Sequence, residues 1–308
     1  VTIAIDKILT QFGDRYDRNA RLAPALLVLL PAVVAIIALY GKSLGILGTV
    51  VSTIGLCGGW VMLADWARSR GKATEQALWR KWGGPPSTQV LRYKDETFDD
   101  LSKSRYHKLL QKKVGRPFPA SKAAEASDPE AADVLYASAC NWLREHTRDE
   151  KKYPLLKNDN IAYGFRRNGH ALRWLGMTVS LGCIGWVLLR HGITSLAARL
   201  HVAGDVERMF SGGEWVSLAV ALIMLLAWIG FFTEGVVRTA AFSYAEKLVV
   251  ACEHIAAPTS QRSAPTSGRA ARKAEATTSN PPAPSAADQN ATAPRRSRSK
   301  RVGATQDK

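Results

Sequence analysis

The sequence predicts an all-α integral membrane protein, with four transmembrane helices in two hairpins, a cytoplasmic helical domain and a disordered C-terminal tail. Three observations predict it. Four runs of about 20 residues are uncharged, a length that carries a helix across a hydrocarbon core about 30 Å thick. Aromatic residues gather near the ends of those runs. Charge is also partitioned: net +2 over residues 1–64, +8 over 65–173, −1 over 174–256 and +7 over 257–308, within a total of +16.

The first element is a polar segment, 1–21, with Lys7, Arg15, Arg18 and Arg21. The first span, 22–41, follows and carries Pro24 and Pro31, which kink it, Pro31 leaving a carbonyl unpaired near mid-membrane. The second span, 43–64, comes at once, so the two form a tight hairpin. A cleavable secretory leader is the rival reading of the first run. Asp6, Asp14 and Asp17 dilute its basic flank, and a second span directly after it argues for retention.

Residues 65–171 form the expected cytoplasmic helical region. Helix formers continue past Asp65 as far as Gly83-Gly84-Pro85-Pro86, which stops them. A helix is expected over Thr97–Val114, capped by Thr97 with Asp100 three residues on, and closed by Lys112, Lys113 and Gly115. A second begins at Ser127, with Pro129 in its first turn and Glu130 completing a capping box. Its apolar face is Ala132, Leu135, Ala139, Trp142 and Leu143, and 115–128 reads as a loop.

The third span, 172–191, holds an apolar run flanked by Arg173 and Arg190, whose stems reach the headgroup layer. An outer loop, 192–213, leads to the fourth span, 214–233. A helical extension, 234–256, carries Val237, Ala241, Tyr244, Leu248, Ala251 and Ile255 at alternating spacings of 4 and 3, an a/d seam. This seam fits the central region, the other stalk or a second copy. The tail, 257–308, has six prolines, no aromatic residue, no Leu, Ile or Met, and the basic cluster RRSRSKR. Such composition buries too little apolar surface to fold, and suits a solvated tail or one that binds nucleic acid or anionic lipid.

Lys and Arg concentrate in the N-terminal segment and the centre, which places both termini and the central region in the cytoplasm by the positive-inside rule. The expected location is a bacterial cytoplasmic (inner) membrane, with N-in and C-in topology. Cys57 and Cys183 fall in spans, Cys140 and Cys252 in cytoplasmic helices, and no C-x-x-C pair suggests a metal site.

The four apolar runs at the heart of these spans contain no Asp, Glu, Lys, Arg or His, which argues against a proton relay or a charged substrate path. Small residues replace them: Gly41, Gly45, Ser52, Gly55, Gly59, Gly176 and Ser180 are candidate helix-packing positions. They serve packing inside the bundle or self-association into a homo-oligomer.

The segment 144–176 is the candidate site. A helix capped by Asn158 or Asp159 sets Asn160, Tyr163, Gly164, Arg167 and Ala171 on one face. Asn160, Tyr163, Arg166, Arg167 and Asn168 thus form a binding site or interhelical network at the membrane edge, with Arg166 and Arg167 suited to grip phosphate. The bland alternative is that the arginines set orientation and the amides satisfy backbone. Thr147-Arg148-Asp149, Pro154-Leu155-Leu156, Asn160 and Tyr163-Gly-Phe-Arg-Arg-Asn168 together resemble a segment of bacterial multi-pass inner-membrane proteins that carry no assigned activity. The resemblance extends back to Gly83-Gly84-Pro85 and excludes the tail. It implies no catalytic residue and no substrate.

The P-loop, zincin and nucleophile-elbow motifs are absent, and the charges around His146 read as a solvated helix end. No catalytic residue, metal site or cofactor is expected. The expected function is a non-enzymatic scaffold or sensor whose cytoplasmic domain binds a protein partner. Two alternatives stand beside it: an oligomerising pore-forming effector of a bacterial defence system, and a nucleic-acid tether acting through the tail.

Overall fold

The computed structural model describes residues 14–41, 45, 48, 58–190, 192, 198 and 209–256. Most of these residues are helical, and no strand is found among them. In chain order the helices are α1 (Asp17–Tyr40), α2 (Gly59–Trp82), α3 (Pro86–Gln89), α4 (Asp100–Val114), α5 (Lys122–Ser127), α6 (Pro129–His146), α7 (Pro154–Leu189), α8 (Gly212–Gly230) and α9 (Glu234–Ala256).

Three helices are long and apolar enough to cross a membrane: α1, α7 and α8. Four were expected. The second run, 43–64, lies largely outside the described residues; apart from Gly45 and Gly48 only 58–64 are seen, with α2 starting at Gly59. The outer loop lies outside the described residues except at Gly192, Ala198 and 209–213, and the whole tail lies outside them.

Helix α1 opens with a π-helical stretch, Asp17–Leu22, in which the Ala23 amide donates to Arg18 O, five residues back. Pro24 follows at once, and its missing N–H explains why α-helical pairing is interrupted there. Pro31 lies buried inside the helix. Helix α2 ends where the glycine pair requires: Gly83 and Gly84 have φ of +84° and +124°, and the Gly84 amide donates to Trp79 O at 2.7 Å.

Other boundaries depart from expectation for local reasons. Helix α4 starts at Asp100 because Asp99, not Thr97, accepts the Ser102 amide at 2.9 Å. Helix α6 starts at Pro129 because Asp128, not Ser127, accepts the Ala131 amide at 3.0 Å. The segment read as a loop contains α5, capped by Ser121, whose Oγ accepts the Ala124 amide at 3.2 Å. No cap at Asn158 or Asp159 begins a helix. The helix begins at Pro154 and runs unbroken for 36 residues, so the candidate segment and the third span are one rod about 54 Å long. Conversely, α8 and α9 are not continuous. The chain breaks at Phe231–Thr233, where His170 Nδ1 meets Phe232 O at 2.8 Å and Arg173 Nη2 donates to Ile229 O at 3.3 Å. These α7 side chains take up carbonyls at the break.

Helix α7 is the shared wall, packing against α1, α2, α8 and α9. At its C-terminal end Ala25, Val28, Leu172, Met224 and Trp228 form one core. The outer surface there is apolar: Trp174 is 74% exposed and Ile223 63%, an arrangement water does not favour. Toward the N-terminal end of α7 lies a second, ordinary globular core, with Leu91, Leu110, Tyr136, Leu143 and Leu248 fully buried. The α9 seam supplies part of it. Leu248 and Ala251 belong to it, Val237 and Ala241 are buried with Leu78 and Tyr163 in a smaller cluster, and α9 packs on α3, α4, α6 and α7.

Candidate functional site

Where the two cores meet, α7 and α2 enclose a buried polar network. Tyr163 Oη donates to Glu75 Oε1 at 2.5 Å, and Arg167 Nη1 donates to the same oxygen at 2.9 Å. Arg167 Nε donates to Asn168 Oδ1 at 3.2 Å, and Asn168 Nδ2 donates to Ala20 O at 2.6 Å. That carbonyl is the one an α-helix would pair with residue 24, which is Pro24 and has no N–H. Asn168 therefore supplies a donor that the α1 sequence withholds.

The backbone geometry makes room for this. Glu75 and Trp79 stand one helical turn apart on α2, and Gly71 one turn earlier. A Cβ at Gly71 would collide with the Asn168 amide, and one at Gly164 would lie 2.9 Å from both Ala20 Cβ and Tyr16 Oη. Two glycines thus let three helices approach closely enough for side chains to bridge them. The Glu75 and Arg167 side chains are 13% and 8% exposed, so the ion pair is buried and its geometry matters more than its net energy.

A cavity of about 210 Å³ opens beside the network, lined by Glu75, Ser87, Arg144, Asn160, Arg167 and Tyr244. Trp79 also borders it, its indole N–H buried and bonded to no described residue. A second cavity, about 370 Å³, shares Arg144, Asn160 and Tyr244 and adds Thr147, Arg148 and Lys157. Burial pushes the Tyr244 hydroxyl up to about 12, so it is a neutral donor at physiological pH.

Of the residues expected to form the network, Tyr163, Arg167 and Asn168 are brought together. Asn160 is half-buried and faces the cavities, with no hydrogen bond to a described residue. Arg166 is half-buried and pairs with no described residue. The reading of α7 alone missed Glu75, Trp79, Gly71, Arg144 and Tyr244. The 71–75–79 spacing on α2 carried a signal for the first three.

The packing positions divide similarly. Gly176 is buried under the Trp228 ring, and Ser180, also buried, donates from Oγ to Gly176 O at 2.8 Å. Gly59 is half-buried, Gly41 and Gly45 are exposed, and Ser52 and Gly55 lie outside the described residues. Among the described residues, no three His, Cys, Asp or Glu side chains lie together as metal ligands would.

No protein-family model matches the chain, and comparison with curated proteins and with solved structures returns no match.

Proposed function

We propose that this protein is a multi-pass membrane sensor or scaffold of non-enzymatic type, in which a helical domain reads a partner or ligand and passes the state to an apolar bundle. One observation carries the reading. Helix α7 belongs to both parts, so the polar cavities and the apolar bundle share a single rod. Its 18 residues from Leu172 to Leu189 span about 27 Å, close to a hydrocarbon core, while its first turns line the cavities. The second run, 43–64, serves as the fourth span and completes two hairpins. The charge distribution then sets both termini and the helical domain in the cytoplasm of a bacterial cell.

Reporter fusions test it. Fusions after Trp82 and Ser127 are expected to report cytoplasm, and one near Asp205 the outside. Cytoplasmic activity near Asp205 would overturn the topology and, with it, the idea of a rod that links two sides.

A further inference from the structure

The wider cavity is chemically one-sided. Its lining holds three cations, Arg144, Arg148 and Lys157, and no acid. Two of these charges are already answered. Lys157 pairs with Glu150 and lies 3.5 Å from Asp14, and Arg148 meets Glu145 at 2.7 Å. Arg144 differs. Its described partners are neutral: Nη1 donates to Asn141 Oδ1 at 2.6 Å and Nη2 to Ser87 Oγ at 3.2 Å. Those two bonds fix the guanidinium where both cavities meet, and leave further N–H groups unassigned.

Facing it are two neutral donors, the Asn160 amide and the Tyr244 hydroxyl, neither bonded to a described residue. The first turn of α7 contributes Lys157 to the same lining, and this helix has no side-chain cap at its N-terminus. Pro154 has no N–H and the Lys157 amide donates to Tyr153 O at 3.1 Å, so only the Leu155 and Leu156 amides remain beside the positive dipole end, which favours negative charge. The C-terminus of α6, on the same lining, opposes this in part: the Thr147 hydroxyl and amide take up Leu143 O, at 2.8 and 3.0 Å, and the later carbonyls of that turn keep their negative end.

We propose that this cavity binds the phosphate group of a small molecule, with Arg144 as the principal charge and Asn160 and Tyr244 as neutral donors. Donors reach the space from α6, α7 and α9, three directions that suit a tetrahedral oxyanion better than a planar carboxylate. A space of about 370 Å³ accommodates a phosphate together with its substituent. A soluble phosphate ester and a lipid headgroup offer the same chemistry. The proposal deepens the sensor reading by naming its ligand class, and rests on that reading only for the consequence of binding.

The test uses the full chain purified in a nonionic detergent. Thermal unfolding is followed against inorganic phosphate and pyrophosphate, with chloride at matched ionic strength as reference. A parallel series adds phosphatidic acid or phosphatidylcholine to the micelles. A saturable rise in Tm with the phosphates, or with phosphatidic acid over phosphatidylcholine, is expected, and the arm that responds identifies the source. Arg144→Gln should weaken binding by roughly tenfold, the loss of a charge-assisted hydrogen bond. Arg148→Gln, whose charge is already paired, should weaken it far less. Tyr244→Phe keeps the ring and the packing, so weaker binding with unchanged melting in chloride isolates the hydroxyl. No saturable shift in either arm overturns the proposal, as does Arg144→Gln and Tyr244→Phe binding like the unmodified chain. Neither result touches the Asp205 reporter, so the topology and the ligand fail separately.

Discussion

Tyr163 and Glu75 lie 88 residues apart in sequence, yet the phenol donates to the carboxylate at 2.5 Å. That bond joins α7 to α2 where the apolar core gives way to the globular one. Because Arg167 donates to the same oxygen, a phenol, a guanidinium and a carboxylate form one unit. Such a unit does not drive folding, since desolvation consumes much of its attraction. It fixes the register of α2 against α7, because any slip strands a buried charge.

The first prediction tests that register. Glu75→Gln removes the partner of a buried guanidinium and should cost about 3–5 kcal/mol. Arg167→Lys keeps the charge but loses the fork that reaches both Glu75 and Asn168, and should be clearly destabilising. Arg166→Lys should be close to neutral, since Arg166 pairs with no described residue. Asn160→Ala should leave stability nearly unchanged, because Asn160 faces the cavity and not the network. Thermal unfolding of the four variants in detergent orders them. Equal tolerance of lysine at 166 and 167 would reduce both arginines to orientation signals.

The second prediction concerns two glycines on one helix. A Cβ at Gly176 would enter the Trp228 ring, whereas nothing lies within 4 Å of one at Gly182. Gly176→Ala should therefore lower stability by about 1–3 kcal/mol through overpacking. Gly182→Ala should raise it by up to about 1 kcal/mol, the helix preference of alanine over glycine. Matched unfolding curves decide this. A harmless Gly176→Ala would mean that α7 and α8 do not pack through that notch.

Much of the architecture was legible because it rests on local signals. Apolar runs, glycine stops at Gly83 and Gly115, and the α9 seam each depend on neighbours within a few turns. Caps were less legible, since Asp99 and Asp128 compete with the nearby cap formers Thr97 and Ser127. Half of the site was legible for the same reason. Tyr163 and Arg167 share a face of α7 by helical spacing alone. Their carboxylate comes from α2, where the 71–75–79 spacing sets one face, but a single sequence does not say which helix that face meets. The role of Asn168 was hidden more deeply, because it depends on a carbonyl that Pro24 leaves unanswered.

Cysteine chemistry gives the third prediction. Cys140 is buried with Sγ 3.1 Å from Ser87 O, and burial pushes its thiol up to about 11. Cys252 is also buried, and its thiol is pushed up to about 12. The thiolate is the reactive form, so both should resist alkylation at neutral pH while the domain is folded. Mass spectrometry after a short iodoacetamide pulse should find them unmodified, then labelled together on addition of denaturant. Rapid labelling of Cys140 in native conditions would show that α3 and α6 open readily, against their close packing.

The last prediction is a pH dependence set by His107. Its ring is buried among Tyr93, Phe118 and Tyr136, with centroid distances of 5.2, 5.4 and 5.4 Å. Nε2 lies 2.7 Å from Leu91 O, and a carbonyl only accepts, so Nε2 carries the hydrogen. Nδ1 is buried and has no partner, which is tolerable for a lone pair and costly for a second proton. Burial is the largest influence and lowers the pKa below its ordinary 6.5, helped by Lys103. The Leu91 carbonyl and Glu125 pull the other way without prevailing. The folded imidazole thus holds a proton less readily than the unfolded one. Above pH 6.5 neither state is protonated there and His107 contributes its full stability. As pH falls through 6.5 the unfolded chain takes up the proton first, so stability declines until the folded value is passed. His107→Gln keeps a donor for Leu91 O and removes the titration. The difference in unfolding free energy between native chain and variant should therefore shrink or reverse between pH 7 and pH 5. Carboxylates such as Glu234, held below their usual range by Lys81 and Trp82, titrate in both proteins and cancel in that difference. A difference that stays level across the window would show that His107 gains a proton as easily folded as unfolded, and would remove it as an acid-sensitive point of the domain.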